Sequence, residues 1–365
     1  MFGSPIAMLL KIILSMFGCL CFSASALGSE NIRVALGDNQ KTVVISSRTG
    51  FISAGRTIDH DTKKLRFDAS SAGSRPVRLR ASGEFIQVNG KSYRGWVELR
   101  KKGNGLLLVI NELDIEDYLR GVLASEVPVG WEYEALKAQA IAARTYALYQ
   151  KRTAGRRPYH IVASVNNQVY EGSKRERPRE AQAVTDTRGL VLVYRGEVIP
   201  AFYHSSCGGQ TENAEELWGI DAPYLKGVDC ECQRISQYGI WEKRIGLAKI
   251  VNALRRQGFR VNDIAGMSIQ GITPAGRVKA VSIRSSQGTL LVPAESLRAA
   301  IGNSTIPSVF FELGIEGGDA VFSGRGSGHG VGLCQWGAEE MAERGLDYRT
   351  ILSHYYPGTD LLQLP

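Results

Sequence analysis

The stretch WEYEALKAQAIAARTYALYQKR, Trp131–Arg152, decides how this chain folds. Ala135, Ala138, Ala140, Ala142, Ala143 and Ala147 are spread around the helix instead of along one stripe. So many small side chains let neighbouring elements approach the backbone from several sides, which predicts a buried helix over Tyr133–Gln150. Glu132 and Glu134 at its start, with Lys151 and Arg152 at its end, suit the helix dipole. Lys137, Ile141, Arg144 and Leu148 share one face. Two cations on a buried helix need anionic partners, and Glu126 in SEVP is the nearest candidate. A structural ion pair or a solvated face accounts for the same two cations.

Upstream, Asn31 to about Ile110 reads as β structure, with VVIS, EFIQV and WVEL separated by Gly, Ser, Asn and Lys turns. GLLLVINELDIEDYLRGVLASEVP, Gly105–Pro128, then gives an apolar strand and a short helix through Tyr118 to Leu123. Residues 153–185 read as irregular, with a charged SKRERPRE loop. GLVLVYRGEVIPAFYHSS follows as two β segments about Arg195–Glu197. A further helix (LAKIVNALRRQGF), strands (RVKAVSIRSS, GTLLVPA) and a short helix complete the segment to Leu313. The expected fold class is α+β: β-rich core lobes around a buried Ala-rich helix, with a smaller inserted α+β lobe. The divisions are a signal peptide over 1–26, a β-rich region over 27–110, a core over 111–239, the inserted lobe over 240–315, and a return to the core over 316–365.

The 365 residues, 44% apolar and 22% charged, are enough to bury a large core. The net charge of +8 suits a polyanionic partner such as an acidic cell-wall polymer, and equally a mildly basic surface. Lys11, the apolar run IILSMFGCLCF and SASA form a secretory signal, with cleavage expected after Ala26. The run is too short for a membrane span, and no lipobox precedes Cys19 or Cys21. Export would leave Cys207, Cys230, Cys232 and Cys334 in an oxidising compartment.

Three groups of residues are candidates for chemistry. Glu126 lies among Leu123, Val127, Pro128 and Trp131, so desolvation should raise its pKa, as a general acid requires; a neighbouring cation would oppose this. His204 and Cys207 in HSSCGG, with Cys230 and Cys232 in DCEC, form a Cys3His set suited to structural zinc. A disulfide from Cys207 to one of the pair, or free thiols, remain open, and Cys334 is read as a small packed residue. Finally, GRGSGHGVGLCQWGAEEMAERG, Gly324–Gly345, has glycine at every second position to Gly332. No frame gives a phosphate-binding G-x-G-x-x-G or P-loop. An extended backbone would put the glycines on one side and Arg325, Ser327, His329, Val331 and Leu333 on the other; positive-φ turns are the alternative. Such a stretch is either one wall of a ligand cleft or a packing device with a buried histidine. Gln335 and Trp336 then lead into a helix closed by Gly345.

At these residues the sequence resembles the sporulation stage II protein D / LytB amidase-enhancer family. The matching blocks run in order through most of the chain: LDIEDYLRGVLASEVPVGWEYEALKAQAIAARTYAL, NNQVYEG, TRGLVLVYRGEVIPAFYHSSCGGQTENAEELWG, PYLKGV, GRGSGHGVGLCQWGAEEMAERG and ILSHYYPGT. The resemblance implies a lytic transglycosylase acting on peptidoglycan glycan strands, especially those stripped of stem peptides, and the signal peptide places it in the periplasm or cell envelope. It implies Glu126 as catalytic, with Lys137, Arg144, His329 and Gln335 at matching polar positions, and a structural zinc with His204 as the motif histidine. Gly326, Gly328 and Gly330 would form a low wall of the saccharide cleft, with Tyr146 and Tyr203 as further substrate contacts. Glu126 would protonate the leaving oxygen and then take a proton from the muramyl hydroxyl that closes an anhydro ring. A cell-wall amidase is the expected protein partner; nucleic acid and a membrane span are not expected.

Three rivals stand beside this expectation. One is a hydrolase that takes a second carboxylate from Asp114, Glu116 or Asp117. Another is a non-catalytic wall-binding protein that enhances an amidase. The last is a zinc hydrolase using His204, His329 and the cysteines.

Overall fold

The computed structural model describes residues 30–365 apart from 54–55, 59–61 and 165–166. The expected signal peptide, with Cys19 and Cys21, lies outside the described residues.

The N-terminal strands form a seven-stranded sheet in the order 161–162, 31–40, 107–114, 96–101, 77–81, 51–53, 56–58. Asn31–Gln40 runs antiparallel to Leu107–Asp114, with Asn31 opposite Asp114. Its alternation buries Ile32 and Val34 in the main core. Asp114 ends this strand pair and caps helix α1 (Ile115–Glu126), accepting the backbone N–H groups of Glu116 and Asp117. Pro128 disfavours helical geometry at the residue before it, so Val127 is extended (φ −116°, ψ 144°) and the helix stops at Glu126.

Helix α2 (Tyr133–Thr153) runs through the main core as its alanines require: Ala135, Ala138, Ala140, Ala142, Ala143 and Ala147 are fully buried. It packs on α1 and on α3 (Pro178–Asp186), a helix within the stretch expected to be irregular. Pro178 at its first turn fits there because its missing N–H would have had no helical partner. The strand Leu190–Tyr194 turns back at Arg195 (φ 52°) and Gly196 (φ 81°) into Glu197–Val198, the expected hairpin about RGE. Helix α4 (Ala214–Trp218) follows.

A second hydrophobic core gathers residues between Trp241 and Phe322. It is built by helices α5 (Leu247–Arg256) and α6 (Ala294–Ile301) and two three-stranded antiparallel sheets. The molecule is therefore α+β, and Glu30–Leu364 is one compact unit. A fully buried carboxylate joins the two cores. Glu212 Oε2 accepts a hydrogen bond from the Thr273 hydroxyl and also lies 3.6 Å from Arg277 Nη1. Arg277 Nη2 donates to the carbonyls of Cys207 (2.9 Å) and Gln210 (3.0 Å).

The chain returns to the main core through the glycine-rich stretch, α7 (Gln335–Glu343) and α8 (Tyr348–Tyr355). No helix among the described residues is long and apolar enough to cross a membrane.

Candidate active site

Glu126 sits where Pro128 ends α1, half-buried, with its Oε1 accepting the Val169 N–H at 2.8 Å. Burial drives its pKa up to about 7, while the Val169 N–H and the Gln335 side chain pull less strongly downward. The negative end of a helix favours the neutral acid further. No cation is among the causes of its shift, so the carboxyl holds its proton near neutral pH as expected from its apolar neighbours.

The loop that supplies Val169 is anchored by Gln168, which is fully buried. Its Oε1 accepts the Tyr118 hydroxyl at 2.9 Å and its Nε2 donates to the Ala143 carbonyl at 3.1 Å. Gln168 thus ties the loop to α1 and α2 and fixes the N–H that meets Glu126. Sequence reasoning gave it no role, although it lies in the quoted NNQVYEG block; a glutamine in an irregular segment carries no periodic signal.

Gln335 and Tyr203 complete the surroundings of Glu126. Buried Gln335 lies near enough to stabilise its charge, yet its Nε2 has no hydrogen bond of normal geometry. Tyr203 is within electrostatic reach of Glu126, and its hydroxyl, beside Gln168, is also without a well-formed partner. Two buried unpaired groups on one side of an acid are costly unless something binds them, at roughly 1–3 kcal/mol each. The Tyr146 ring packs edge-on against that of Tyr203, 6.3 Å away.

The other expected catalytic residues have different partners. Arg144 grips Glu116 through Nε–Oε1 (2.9 Å) and Nη2–Oε2 (2.7 Å) and donates to the Val184 and Leu190 carbonyls. It is a buried structural pair joining α1, α2 and α3, not a partner of Glu126. Lys137 pairs with Glu134 at 2.8 Å on its own helix and lies over the Tyr133 and Tyr348 rings. In His329, Nδ1 accepts the Val331 N–H at 3.1 Å and Nε2 donates to the Tyr203 carbonyl at 3.0 Å. Burial drives its pKa down to about 4, so it is neutral at pH 7 with neither ring nitrogen free. Its two hydrogen bonds tie the glycine-rich loop to the strand at Tyr203.

The carboxylates proposed for a hydrolase lie at the far end of α1. Glu116 and Glu126 are ten residues apart in one helix, on the order of 15 Å along its axis, beyond the spacing of a carboxylate pair acting on one bond. Asp114 is occupied as the cap, and Asp117 faces Arg94 and Arg120.

The glycine-rich stretch corrects the expectation of a substrate wall. Gly326, Gly328, Gly330 and Gly332 all have positive φ (75°, 103°, 87° and 70°), so it is not a regular strand. It threads between residues 202–212 and the second core, exchanging backbone hydrogen bonds at Ser206, Glu212 and Pro307. A side chain at Gly326 would meet the Ser206 carbonyl at 2.7 Å, and one at Gly328 the His204 Cβ at 2.8 Å. One at Gly330 would strike the Arg277 guanidinium. The bare sides of these glycines face the protein's own atoms.

The structure groups the sulfurs differently from the expected Cys3His set. Cys207, Cys230, Cys232 and Cys334 are all buried, unbridged, and have their sulfurs within 4.8 Å of one another. Cys334 thus takes the place expected for His204, whose Nδ1 faces the Val331 carbonyl at 3.1 Å. The parallel pairing of Tyr203–His204 with Leu333–Cys334 brings Cys334 to the group, a contact across 127 residues that linear spacing could not show. Tetrahedral zinc with sulfur at about 2.3 Å spaces its ligands by about 3.8 Å, so this donor set fits a closed zinc site.

Residues 103–194 match the family model described as Stage II sporulation protein, and residues 214–332 match a domain of unknown function. Stage II sporulation protein D of Bacillus amyloliquefaciens is 33% identical over 69% of this chain and 75% of its own. An uncharacterized protein of Brachyspira hyodysenteriae is 35% identical over 71% of this chain and 69% of its own. The amidase enhancer of Bacillus subtilis is 31% identical over 76% of this chain and 45% of its own length. The chain belongs to the sporulation stage II protein D / LytB amidase-enhancer family.

Proposed function

We propose that this family member acts on the bacterial cell wall as a lytic transglycosylase, cleaving peptidoglycan glycan strands with Glu126 as its single acid and base. The observation that carries the reading is the half-buried Glu126 carboxyl, raised to about pH 7 with no cation among the causes of its shift. Protonated Glu126 would donate to the glycosidic oxygen as the bond to the muramyl carbon breaks. The resulting carboxylate would take the proton of the muramyl hydroxyl as that oxygen closes the anhydro ring. One carboxyl serves both steps because an internal hydroxyl, not a water, is the nucleophile. The unpaired Tyr203 Oη and Gln335 Nε2 would accept and donate to sugar hydroxyls and amides beside it.

Zinc held by Cys207, Cys230, Cys232 and Cys334 would brace the segment that carries Tyr203 against the one that carries Gln335. A closed four-sulfur site leaves no position for substrate, so the role assigned to it is structural. The signal-like N-terminus supports export to the envelope.

Purified protein incubated with peptide-free glycan strands should generate anhydro-muramyl ends, read by mass spectrometry. A second reading, a wall-binding protein that stimulates an amidase without cleaving strands, draws on the relative named amidase enhancer. It would show strand binding, no new ends and faster turnover by the amidase. Hydrolysed ends lost on chelation would point to the zinc hydrolase instead.

A further inference from the structure

Trp218 is the last residue of α4, ended by Gly219 in the left-handed conformation (φ 68°), and its side chain is exposed. It leaves 40% of its surface in water while its other face packs on two rings. The Phe202 ring lies 4.8 Å from it and the His329 ring 5.1 Å, both tilted against it. His329 is itself fixed at both nitrogens by backbone, so the platform is rigid before anything binds. From Trp218 the rings continue inward: Phe202 to Tyr146 at 5.9 Å, then Tyr146 to Tyr203 at 6.3 Å, whose unpaired hydroxyl borders Glu126.

We propose that Trp218 is a sugar-stacking platform forming an outer subsite for the glycan strand, at the outer end of the row of rings that leads to Tyr203 beside Glu126. The inference rests on the cell-wall reading above and extends it. The C–H face of a pyranose ring is apolar and slightly positive, which matches the electron-rich face of an indole. A pre-positioned ring gives up little freedom on binding, so its contact adds to affinity for a repeating polymer. The flanking charges are engaged with each other, Lys226 with Glu215 and Asp221, and Lys279 with Glu216. That leaves the indole as the principal contact, and it favours a neutral sugar face over a charged peptide. Because Phe202, Tyr146 and Tyr203 stand between the indole and Glu126, a long strand should sense the platform more than a disaccharide does.

The test uses the full mature chain carrying Glu126→Gln, so that bound strands stay intact. Binding of long peptide-free glycan strands and of N-acetylglucosamine disaccharide is measured with and without Trp218→Ala and Trp218→Phe. Trp218→Ala should weaken long-strand binding by about tenfold or more. Trp218→Phe should fall between, while disaccharide binding and melting temperature should stay unchanged. Long strands should also alter tryptophan fluorescence in the parent and much less in Trp218→Phe. Equal long-strand affinity in the parent and both variants would overturn the inference. If Trp218→Ala fails to fold, unchanged affinity and an unchanged fluorescence response in Trp218→Phe would overturn it. Strand binding without cleavage by the native chain would defeat the transglycosylase reading and leave the platform standing. No strand binding by the parent would defeat both.

Discussion

Val169 donates its backbone N–H to Glu126 Oε1 at 2.8 Å, and that single contact from a loop without regular structure orients the carboxyl at the end of α1. The rest of its environment is apolar or uncharged, which is why burial governs its proton affinity.

Glu126→Gln keeps the shape and removes the proton. Strand cleavage should fall by about 10²–10⁴, the usual contribution of a positioned acid, with the melting temperature maintained or raised. Release of anhydro-muramyl ends at close to the parental rate would assign the chemistry elsewhere.

The pH dependence follows from the same group. Glu126 has a folded pKa of about 7 against an ordinary value of 4.5, so the folded state holds its proton more tightly than the unfolded chain. The associated stability is complete below about pH 4.5 and is lost as pH rises through 7. Glu339, whose carboxylate accepts the Glu132 N–H, is also raised to about 7 and contributes in the same window. Denaturant titrations from pH 4.5 to 8 should show a loss of about 2–3 kcal/mol per group at most, and Glu126→Gln should flatten its share. Cleavage should decline above pH 7 as the acid form is depleted.

Arg144→Ala would leave Glu116 charged and buried, at a cost of about 3–5 kcal/mol. Arg144→Met with Glu116→Leu should recover most of that loss in denaturant unfolding, and the folded protein should retain its turnover. A large drop in turnover with unchanged stability would restore Arg144 to a catalytic role.

Cys334→Ser should lower bound zinc and thermal stability as much as Cys232→Ser does, because all four sulfurs belong to one group. His204→Ala should leave the zinc content intact. Elemental analysis of protein purified without chelator decides the matter, and zinc loss in His204→Ala with retention in Cys334→Ser would reinstate the Cys3His set.

Gly328→Val should destabilise the protein by about 1–3 kcal/mol, since a branched side chain there is forced to positive φ and against the His204 Cβ. Affinity for glycan per folded molecule should be unchanged. A loss of affinity at an unaltered melting temperature would return the glycines to the substrate side.

The local signals in the sequence were legible where one element carried them. The alanines of α2, the hairpin at Arg195–Gly196 and the apolar neighbours of Glu126 each express their effect within a few residues. The partners of the charges and the grouping of the sulfurs were not legible because tertiary packing chooses them. Arg144 meets Glu116, which is farther from it in sequence than Glu126, because α1 lies against α2 with its first turn beside Arg144. Cys334 joins Cys207 through strand pairing over 127 residues. The glycine alternation suggested an extended strand, but the close passage of backbone at Ser206 and Pro307 selects positive φ instead. Gln168 had no local signal, because its importance lies in the three parts of the chain it connects.

The Glu212 carboxylate bears on how this chain could be shortened. Residues 240–315 look like a separable insert, yet Thr273 and Arg277 from that segment provide its hydroxyl and its counter-charge. Excising the insert would leave the buried Glu212 carboxylate without its counter-charge and remove the guanidinium against which Gly330 packs. Replacing Glu212 by glutamine together with the excision would remove the charge that the lost Arg277 had balanced.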